Sequence, residues 1–497
     1  VNLTETNSSS GIFEERIILS GNTLHTNGIV IEAAQNDVIT ITYTDSENED
    51  GSEENISRTG NITGSVLFTD ASGVEQLNFT SGATIYVKVD DTDRNVDGNT
   101  AETVTVTVSS ETSSAGEVTL TETGVSTGVF LGSVSSGISW VTPGDILTVT
   151  YIDPADDFGN QVTLTDNAYY DVTLLSGSYS GNTTWTAANS PYLVTGDVTI
   201  SDNGSLTIEP GVEVRFLAVS DDQSGGEDAN RSEIRVFGNV TAVGTASDSI
   251  VFKSASYPAM ASDWYGIYIN GSSVEDVLFK YCRFEGYVDA LYFRDVYGSP
   301  VSNWSDVEKI SIENSVFRKG ATSVVRTYSI DYHSFTFQNN TVDNSPIFKT
   351  ENYMNTYGVL VHNNIITNSF NDFGFWLYSP FPYNSSLDTL SCVITNNTIE
   401  VNSANFNNQG YNWFPYGVYV SYRNNYDSQF SSVLKVDISN NVFDGDNHQS
   451  SQGIYIQGNT NTETSTTISN NEITNMRNSG ISIYNTSPVS YTHLRAH

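Results

Sequence analysis

Residues 335–342 read FTFQNNTV, residues 359–366 read VLVHNNII and residues 436–443 read VDISNNVF. Each runs apolar–x–apolar–x–Asn–Asn–x–apolar. Residues 392–399 (CVITNNTI) repeat the pattern, residues 466–473 (TTISNNEI) repeat it with Thr466 first, and residues 310–317 (ISIENSVF) carry Ser315 at the second Asn position. Alternation with period two marks a strand with one buried face. Asn tolerates the left-handed backbone angles of a tight corner, so each pair ends one strand and begins another. Six copies that agree at these positions form a repeat.

The first Asn of each copy (Asn314, Asn339, Asn363, Asn396, Asn440, Asn470) follows its predecessor by 25, 24, 33, 44 and 30 residues. A fixed strand–corner–strand core with variable spacing implies one invariant corner and variable loops. That is the pattern of a right-handed parallel β-helix. Coils stacked about 4.8 Å apart would align the Asn side chains as amide ladders and the apolar residues as inward columns. The same register puts Cys392 in the column of Val359 and Val436, and Cys282 near a corner four coils earlier. Such a separation, roughly 19 Å at that rise, forbids a disulfide. Both cysteines are therefore expected to be packing residues. With GSLTIEPGV (204–212) and DWYGIYI (263–269), residues 191–486 resemble the pectin-lyase-like β-helix superfamily. That family spans pectate lyases, polygalacturonases, alginate-modifying enzymes, phage tailspikes, adhesins and structural surface repeats, so the resemblance implies a fold and no single function.

The N-terminal third repeats differently. VNLTETNSSSGIF (1–13) matches VTLTETGVSTGVF (118–130), and NDVITITYTD (36–45) matches GDILTVTYID (144–153). Two blocks in the same order make a repeat of about 110 residues. Alternating Val104, Val106 and Val108, with Gly, Asn and Asp at turn spacing, read as strands of immunoglobulin-like sandwiches in tandem. VKVDDTDRNVDGNTAETVTVTV (87–108) followed by the 118–130 block resembles tandem modules of large secreted or surface proteins of marine microbes, which implies a spacer or display role. The fold class expected is all-β: tandem β-sandwich modules followed by a right-handed parallel β-helix. The divisions expected are 1–60 (part of a sandwich), 61–172 (a whole sandwich), 173–190 (linker), 191–488 (β-helix) and 489–497 (tail). VSYTHLRAH (489–497) breaks with the Asn-, Thr- and Gly-rich composition before it. It resembles one translated frame of a sequencing-library adaptor and is expected to be non-native, so the chain is expected to be a fragment.

Charge narrows the partners. Against 58 acidic residues stand 20 basic ones, for a net charge of −38. Nucleic acid and anionic membrane surfaces are poor partners for such a chain. No apolar run is long enough to span a bilayer. Two cysteines make no disulfide framework.

Four groups of residues could carry chemistry. Asp91, Asp93, Asn95 and Asp97 alternate and Glu102 follows at position twelve, as hard oxygen ligands do in loops that curl round Ca²⁺. Val96 stands where the sharp-turn Gly is expected, and a solvated acidic turn is the alternative. Asp153, Asp156 and Asp157 form a weaker cluster, and DDQSGGEDANRSE (221–233) reads as a flexible loop. Four residues past each corner Asn, an outward column holds Arg318, Asp343, Thr367, Glu400, Asp444 and Thr474. Glu400 and Asp444 fall on adjacent coils, about 5 Å apart by strand spacing, near the separation of a retaining glycosidase pair. Two surface acids are the plainer reading. Polygalacturonase and pectate-lyase signatures are not found, and His25, His333, His362 and His448 lack a triad pattern. Finally, FGFWLYSPFPY (373–383) and GYNWFPYGVY (410–419) read as aromatic loops. Trp376, Tyr378, Phe381, Tyr383, Trp413, Phe414 and Tyr416 would offer flat faces to sugar rings, or pack on one another.

The function expected is an extracellular or cell-surface adhesion or structural protein. Its β-helix would be a glycan-contacting surface and its sandwiches Ca²⁺-stiffened spacers. The alternative is a secreted polysaccharide lyase or glycoside hydrolase working in a groove along the β-helix.

Overall fold

A computed structural model of the chain describes residues 64–110, 114–134, 141–154, 161–202, 204–256, 258–271, 274, 276–297, 309–346, 348–350, 354–369, 375–378, 389–401, 416–421, 433–446, 451–457 and 463–484, and the strand segments 4–5, 13–14, 18–20, 30–32, 38–45, 54–61, 489–492 and 495–496. The chain is all-β. It divides into two compact units, with Val30–Thr173 the bulk of one and Leu174–His497 the bulk of the other.

In the first unit, alternation puts Val104, Val106 and Val108 inside and Thr103, Thr105 and Thr107 outside. Eight strands between Ser65 and Tyr170 form one sheet, antiparallel throughout except where Asn78–Phe79 runs parallel to Val162–Tyr170. Its inward faces enclose Val66, Phe68, Val87, Val106, Leu120, Phe130, Leu147 and Val149. Phe68 N donates to Asp166 Oδ2 at 2.7 Å, so strands near opposite ends of the sheet meet. The two layers expected of a sandwich are thus parts of one curled sheet. A register break between Val108 and Ser109 adds to the local twist that curls it. The repeat is also visible in strand pairing: Val38–Asp45 pairs antiparallel with Glu54–Asn61, as Ile146–Asp153 does with Val162–Tyr170.

The second unit is a stack of coils joined by parallel ladders, a parallel β-helix. The inward columns run in register: Ile312, Phe337, Val361, Ile394, Ile438 and Ile468 form one. Past the corner, Phe317, Val342, Ile366, Ile399, Phe443 and Ile473 form another. Earlier coils fill the same interior with stacked rings, Phe252 on Phe284 at 4.8 Å and Phe284 on Phe317 at 4.9 Å. Burying such side chains contributes about 1.5–3 kcal/mol each.

The two corner asparagines divide the work. The first takes the left-handed conformation, with φ of 52° to 58° from Asn314 to Asn470. The second makes the buried ladder. Asn364 Nδ2 donates to Asn397 Oδ1, Asn397 Nδ2 to Asn441 Oδ1 and Asn441 Nδ2 to Asn471 Oδ1, at 2.8–2.9 Å. Each of Asn364, Asn397, Asn441 and Asn471 also donates Nδ2 to a carbonyl of the preceding coil. Ser315 and Cys282 extend this column upstream: Cys282 N donates to Ser315 Oγ and Ser315 N to Asn340 Oδ1. Both cysteines are buried and in no disulfide, and Cys392 lies opposite Val359 and Val436.

One stretch differs from its sequence reading. Residues 173–190 are no linker, since Thr173–Tyr179 and Asn182–Trp185 join the parallel sheet and Leu175 and Trp185 enter its core. At the other end, Val489–Thr492 and Arg495–Ala496 pair in parallel with the preceding coil.

Candidate functional site

Four consecutive coils bring several basic and phenolic residues together on an outer face. Ile234–Val236, Trp264–Gly271, Tyr287–Tyr297 and Ser323–Gln338 pair in parallel. Ile234, Val236, Ile267, Ile269, Leu291, Phe293 and Val325 point into the core. Alternation therefore sends Arg235, Tyr268, Tyr292 and Arg326 outward, and register aligns these four in one column.

The column is capped by guanidinium at both ends. Arg326 Cζ lies 4.3 Å from the Tyr292 ring centroid and Arg235 Cζ 5.7 Å from that of Tyr268. Tyr268 and Tyr292 meet edge to face at 5.4 Å. Tyr265 joins them in a small outer cluster against Phe237, Val288 and Tyr328. Arg294 Cζ lies 5.6 Å from the Tyr328 ring. Gly266 lets the strand pass close to its neighbour: a Cβ there would sit 1.7 Å from Asp289 O.

Each arginine has a carboxylate. Arg326 pairs with buried Asp289 at 3.0 Å, Arg294 with Glu227 at 3.1 Å and Arg235 with Glu233 at 3.2 Å. Ser323 Oγ donates to Asp289 Oδ1 at 2.6 Å. The Arg294 side chain keeps 40% of its surface exposed and Arg235 28%, so these guanidiniums remain accessible. Burial, and Asp289 after it, push the Tyr265 hydroxyl up, and Arg326 Nη1 donates to it at 3.4 Å. Tyr265, Tyr268 and Tyr292 are only 7%, 4% and 3% exposed, so the guanidiniums are the open part of this face and the phenol rings its floor; such a face can hold an anionic group.

The sequence reading passed over this face. The signal was present as Arg235, Tyr268, Tyr292 and Arg326 on alternate positions of successive apolar strands, at intervals of 33, 24 and 34 residues. The coils of Arg235 and Tyr268 lack the Asn corner that sets the register elsewhere.

Glu400 and Asp444 do lie opposite each other on adjacent coils. Glu400 is exposed, while Asp444 Oδ1 accepts from Asp446 N and Asn475 Nδ2 at 3.0 and 2.8 Å. The aromatic segments are partly strands rather than loops, because both supply a rung to one parallel sheet. Trp376 and Tyr378 lie in Phe375–Tyr378, opposite Tyr419 and Ser421, and Tyr416 lies opposite Gln452. Phe381, Tyr383, Trp413 and Phe414 lie outside the described residues. Tyr419 and Tyr455 stack at 4.9 Å with planes 2° apart, so each covers a face of the other. His362 Nδ1 lies 2.9 Å from Thr395 Oγ1, and His25 and His448 lie outside the described residues.

In the first unit, Asp91 caps a short 3-10 turn, Thr92–Arg94. It is buried and accepts from Asp93 N at 3.0 Å and from Tyr151 Oη at 2.6 Å. Asp97 accepts from Asn99 N and Thr100 Oγ1, and Glu102 Oε1 accepts from Asp97 N. Asn95 Nδ2 donates to Ser126 Oγ, and Asp93 is exposed. Asn95 Oδ1 and Glu102 Oε2 are buried without a hydrogen-bond partner. Among the described residues no three His, Cys, Asp or Glu side chains gather as a metal group. Asp153 is buried, and Asp156 and Asp157 lie outside the described residues.

Residues 177–277 match the family model described as pectate-lyase like beta helix domain. The match covers the coils of Arg235, Tyr265 and Tyr268 and stops before Tyr292 and Arg326. No curated protein matches the chain.

Proposed function

We propose that the chain is an extracellular contact protein whose β-helix binds polysaccharide across the face of Arg235, Tyr268, Tyr292 and Arg326. The first unit then serves as a spacer. The column itself carries this reading: a chain with 20 basic and 58 acidic residues sets guanidiniums beside tyrosines on one outer face. That composition suits sugars bearing carboxylate or sulfate groups. The overall charge repels polyanions at long range, so binding would depend on this face and would fall with Arg substitution.

The test is binding of the full chain to uronate-containing, sulfated and neutral polysaccharides. Arg294→Ala removes an exposed pair, worth under about 1 kcal/mol to folding, and is expected to weaken an acidic glycan by about tenfold, or about 1.4 kcal/mol. Failure of every polymer to bind overturns the reading.

A second reading, a polysaccharide lyase or glycoside hydrolase, is favoured by the adjacency of Glu400 and Asp444. Shortened product chains, lost in Glu400→Gln and Asp444→Asn, would establish it. Calcium enters through the two oxygens of the 91–102 loop that lack partners, Asn95 Oδ1 and Glu102 Oε2. Asp91 and Asp97 are already engaged by the loop's own donors, so the five residues fit a cation in part. A rise in first-unit melting with Ca²⁺, absent in Glu102→Gln, is the check.

A further inference from the structure

Beside the arginine–tyrosine face lies a group of carboxylates, of which the binding face itself engages only Glu233 and Glu227, as partners of Arg235 and Arg294. Asp197, in the strand Tyr192–Ile200, and Glu233, just before Ile234–Val236, are 3% and 0% exposed. Between them the chain makes an excursion that holds most of 221–233, the segment read from sequence as a flexible loop. It is instead hooked onto these two acids. Glu233 N donates to Asp197 Oδ1, Asp197 N to Asp221 Oδ1, Gly225 N to Asp221 Oδ2 and Glu227 N to Glu233 Oε1.

Asp197 and Glu233 converge on one point. A Cβ on Gly226 would lie 2.1 Å from Glu233 Oε1 and 2.7 Å from Asp197 Oδ2. Glu233 Oε2 is buried with no hydrogen-bond partner. The facing charges are Asp221, Asp222 and Arg235 around Asp197, and Arg235 and Glu227 around Glu233, with the Tyr265 hydroxyl nearby. Arg235 is the cation among them, against five carboxylates. Glu227 continues outward to Arg294, so the excursion is tied to the proposed binding face.

We infer that Asp197 and Glu233 share a proton that latches the segment 222–230 beside the arginine–tyrosine face, and that losing the proton to solvent releases the segment and Glu227 from Arg294. The gating role rests on the binding reading; the latch does not. Burial first, then Asp221, pushes Asp197 up to about 7, and burial, then Asp197, pushes Glu233 up to about 8. Both folded values lie above the ordinary carboxylate range. The protonated latch is therefore intact at acid pH and is lost as pH rises through about 7 to 8.

The experiment is hydrogen exchange on the full chain without glycan from pH 6 to 9, each amide corrected for its intrinsic rate. Protection over 222–230 is expected to fall by about tenfold per pH unit between pH 6 and 8. The ladder amides of Asn364 and Asn397 should hold. Glu233→Gln, a neutral side chain of the same shape, should keep 222–230 protected throughout, and Asp197→Asn should flatten the profile independently. Unchanged wild-type protection across the range overturns the latch, as does an undiminished fall in both variants. Restoration at pH 9 by Ca²⁺ alone would assign the gap to a cation and overturn the proton. A pH-dependent latch in a chain that binds no glycan would support the latch while the binding reading fails.

Discussion

Two acidic loops, residues 91–102 and 221–233, look alike in sequence and solve the same electrostatic problem in opposite ways. In the first, each engaged carboxylate meets hydrogen-bond donors. Asp97 is held below its ordinary range by Asn99 and Thr100. Glu122, which caps the adjoining turn, is pushed up by burial, yet the N–H groups of Gly128 and Thr127 bring it down to about 2. In the second, carboxylates face carboxylates, and burial drives Asp197 and Glu233 up despite the N–H group each accepts. Where donors outweigh burial, a carboxylate stays charged and fixes a turn; where burial and neighbouring carboxylates outweigh its donors, it takes up a proton and becomes a switch. Acidic composition alone does not separate a strut from a sensor; the balance of donors against burial does.

The sharpest way to break this contrast is to fill the gap in the second loop. Gly226 has φ of +68°, and its Cβ would collide with both acids. Gly226→Ala should cost about 3 kcal/mol locally, strain and displacement combined. Exchange of amides 222–230 at pH 6 checks it. The counterpart in the first loop is Tyr151→Phe. It deletes the buried donor 2.6 Å from Asp91 Oδ2 and leaves an acceptor short of one bond. A loss of about 2 kcal/mol is expected, read in denaturant unfolding of the first unit. Loss of less than a few tenths would mean that Asp91 is not held by its donors.

How far the sequence revealed this depends on the regularity of each part. The columns through Phe337, Val361 and Ile394 were legible because every coil repeats one corner chemistry. Upstream, the same corner is made by Tyr281, with φ of 53°, and by Gly244, whose N–H donates to Lys280 O as Asn314 N does to Gln338 O. Without Asn at these corners the register of the earlier coils was hidden, and with it the alignment of Arg235, Tyr268, Tyr292 and Arg326. The division of labour between paired asparagines was also hidden, since backbone angle and burial distinguish Asn363 from Asn364 and composition does not. The latch was least legible of all. Asp197 and Glu233 are 36 residues apart and meet because the strand Tyr192–Ile200 pairs with Ile234–Val236.

Opposite pH responses sharpen the contrast further. For Glu122 the folded value lies below the unfolded one. Its contribution is present above about pH 4.5 and is lost as pH falls toward 2. Unfolding of the first unit followed from pH 5 to 2 should therefore steepen on the acid side, and Glu122→Gln should flatten that limb. The 221–233 segment should lose protection at the other end of the scale. A common direction for both loops would contradict the donor argument.

The smallest effect expected is at Gly98. It lies in the acidic loop that is built from donors, is exposed, and has no positive φ requiring glycine. A Cβ there would meet Ser126 Oγ at 3.5 Å, an ordinary contact. Gly98→Ala should therefore change stability by less than about 0.5 kcal/mol, with the reduced entropy of the unfolded chain acting in its favour. The same substitution at Gly226 meets two carboxylate oxygens inside contact distance. Equilibrium unfolding of the two variants side by side thus isolates what the loops do not share. Equal losses at both glycines would mean that the 221–233 loop is held by backbone geometry alone, and the convergence of Asp197 and Glu233 would then have no energetic consequence.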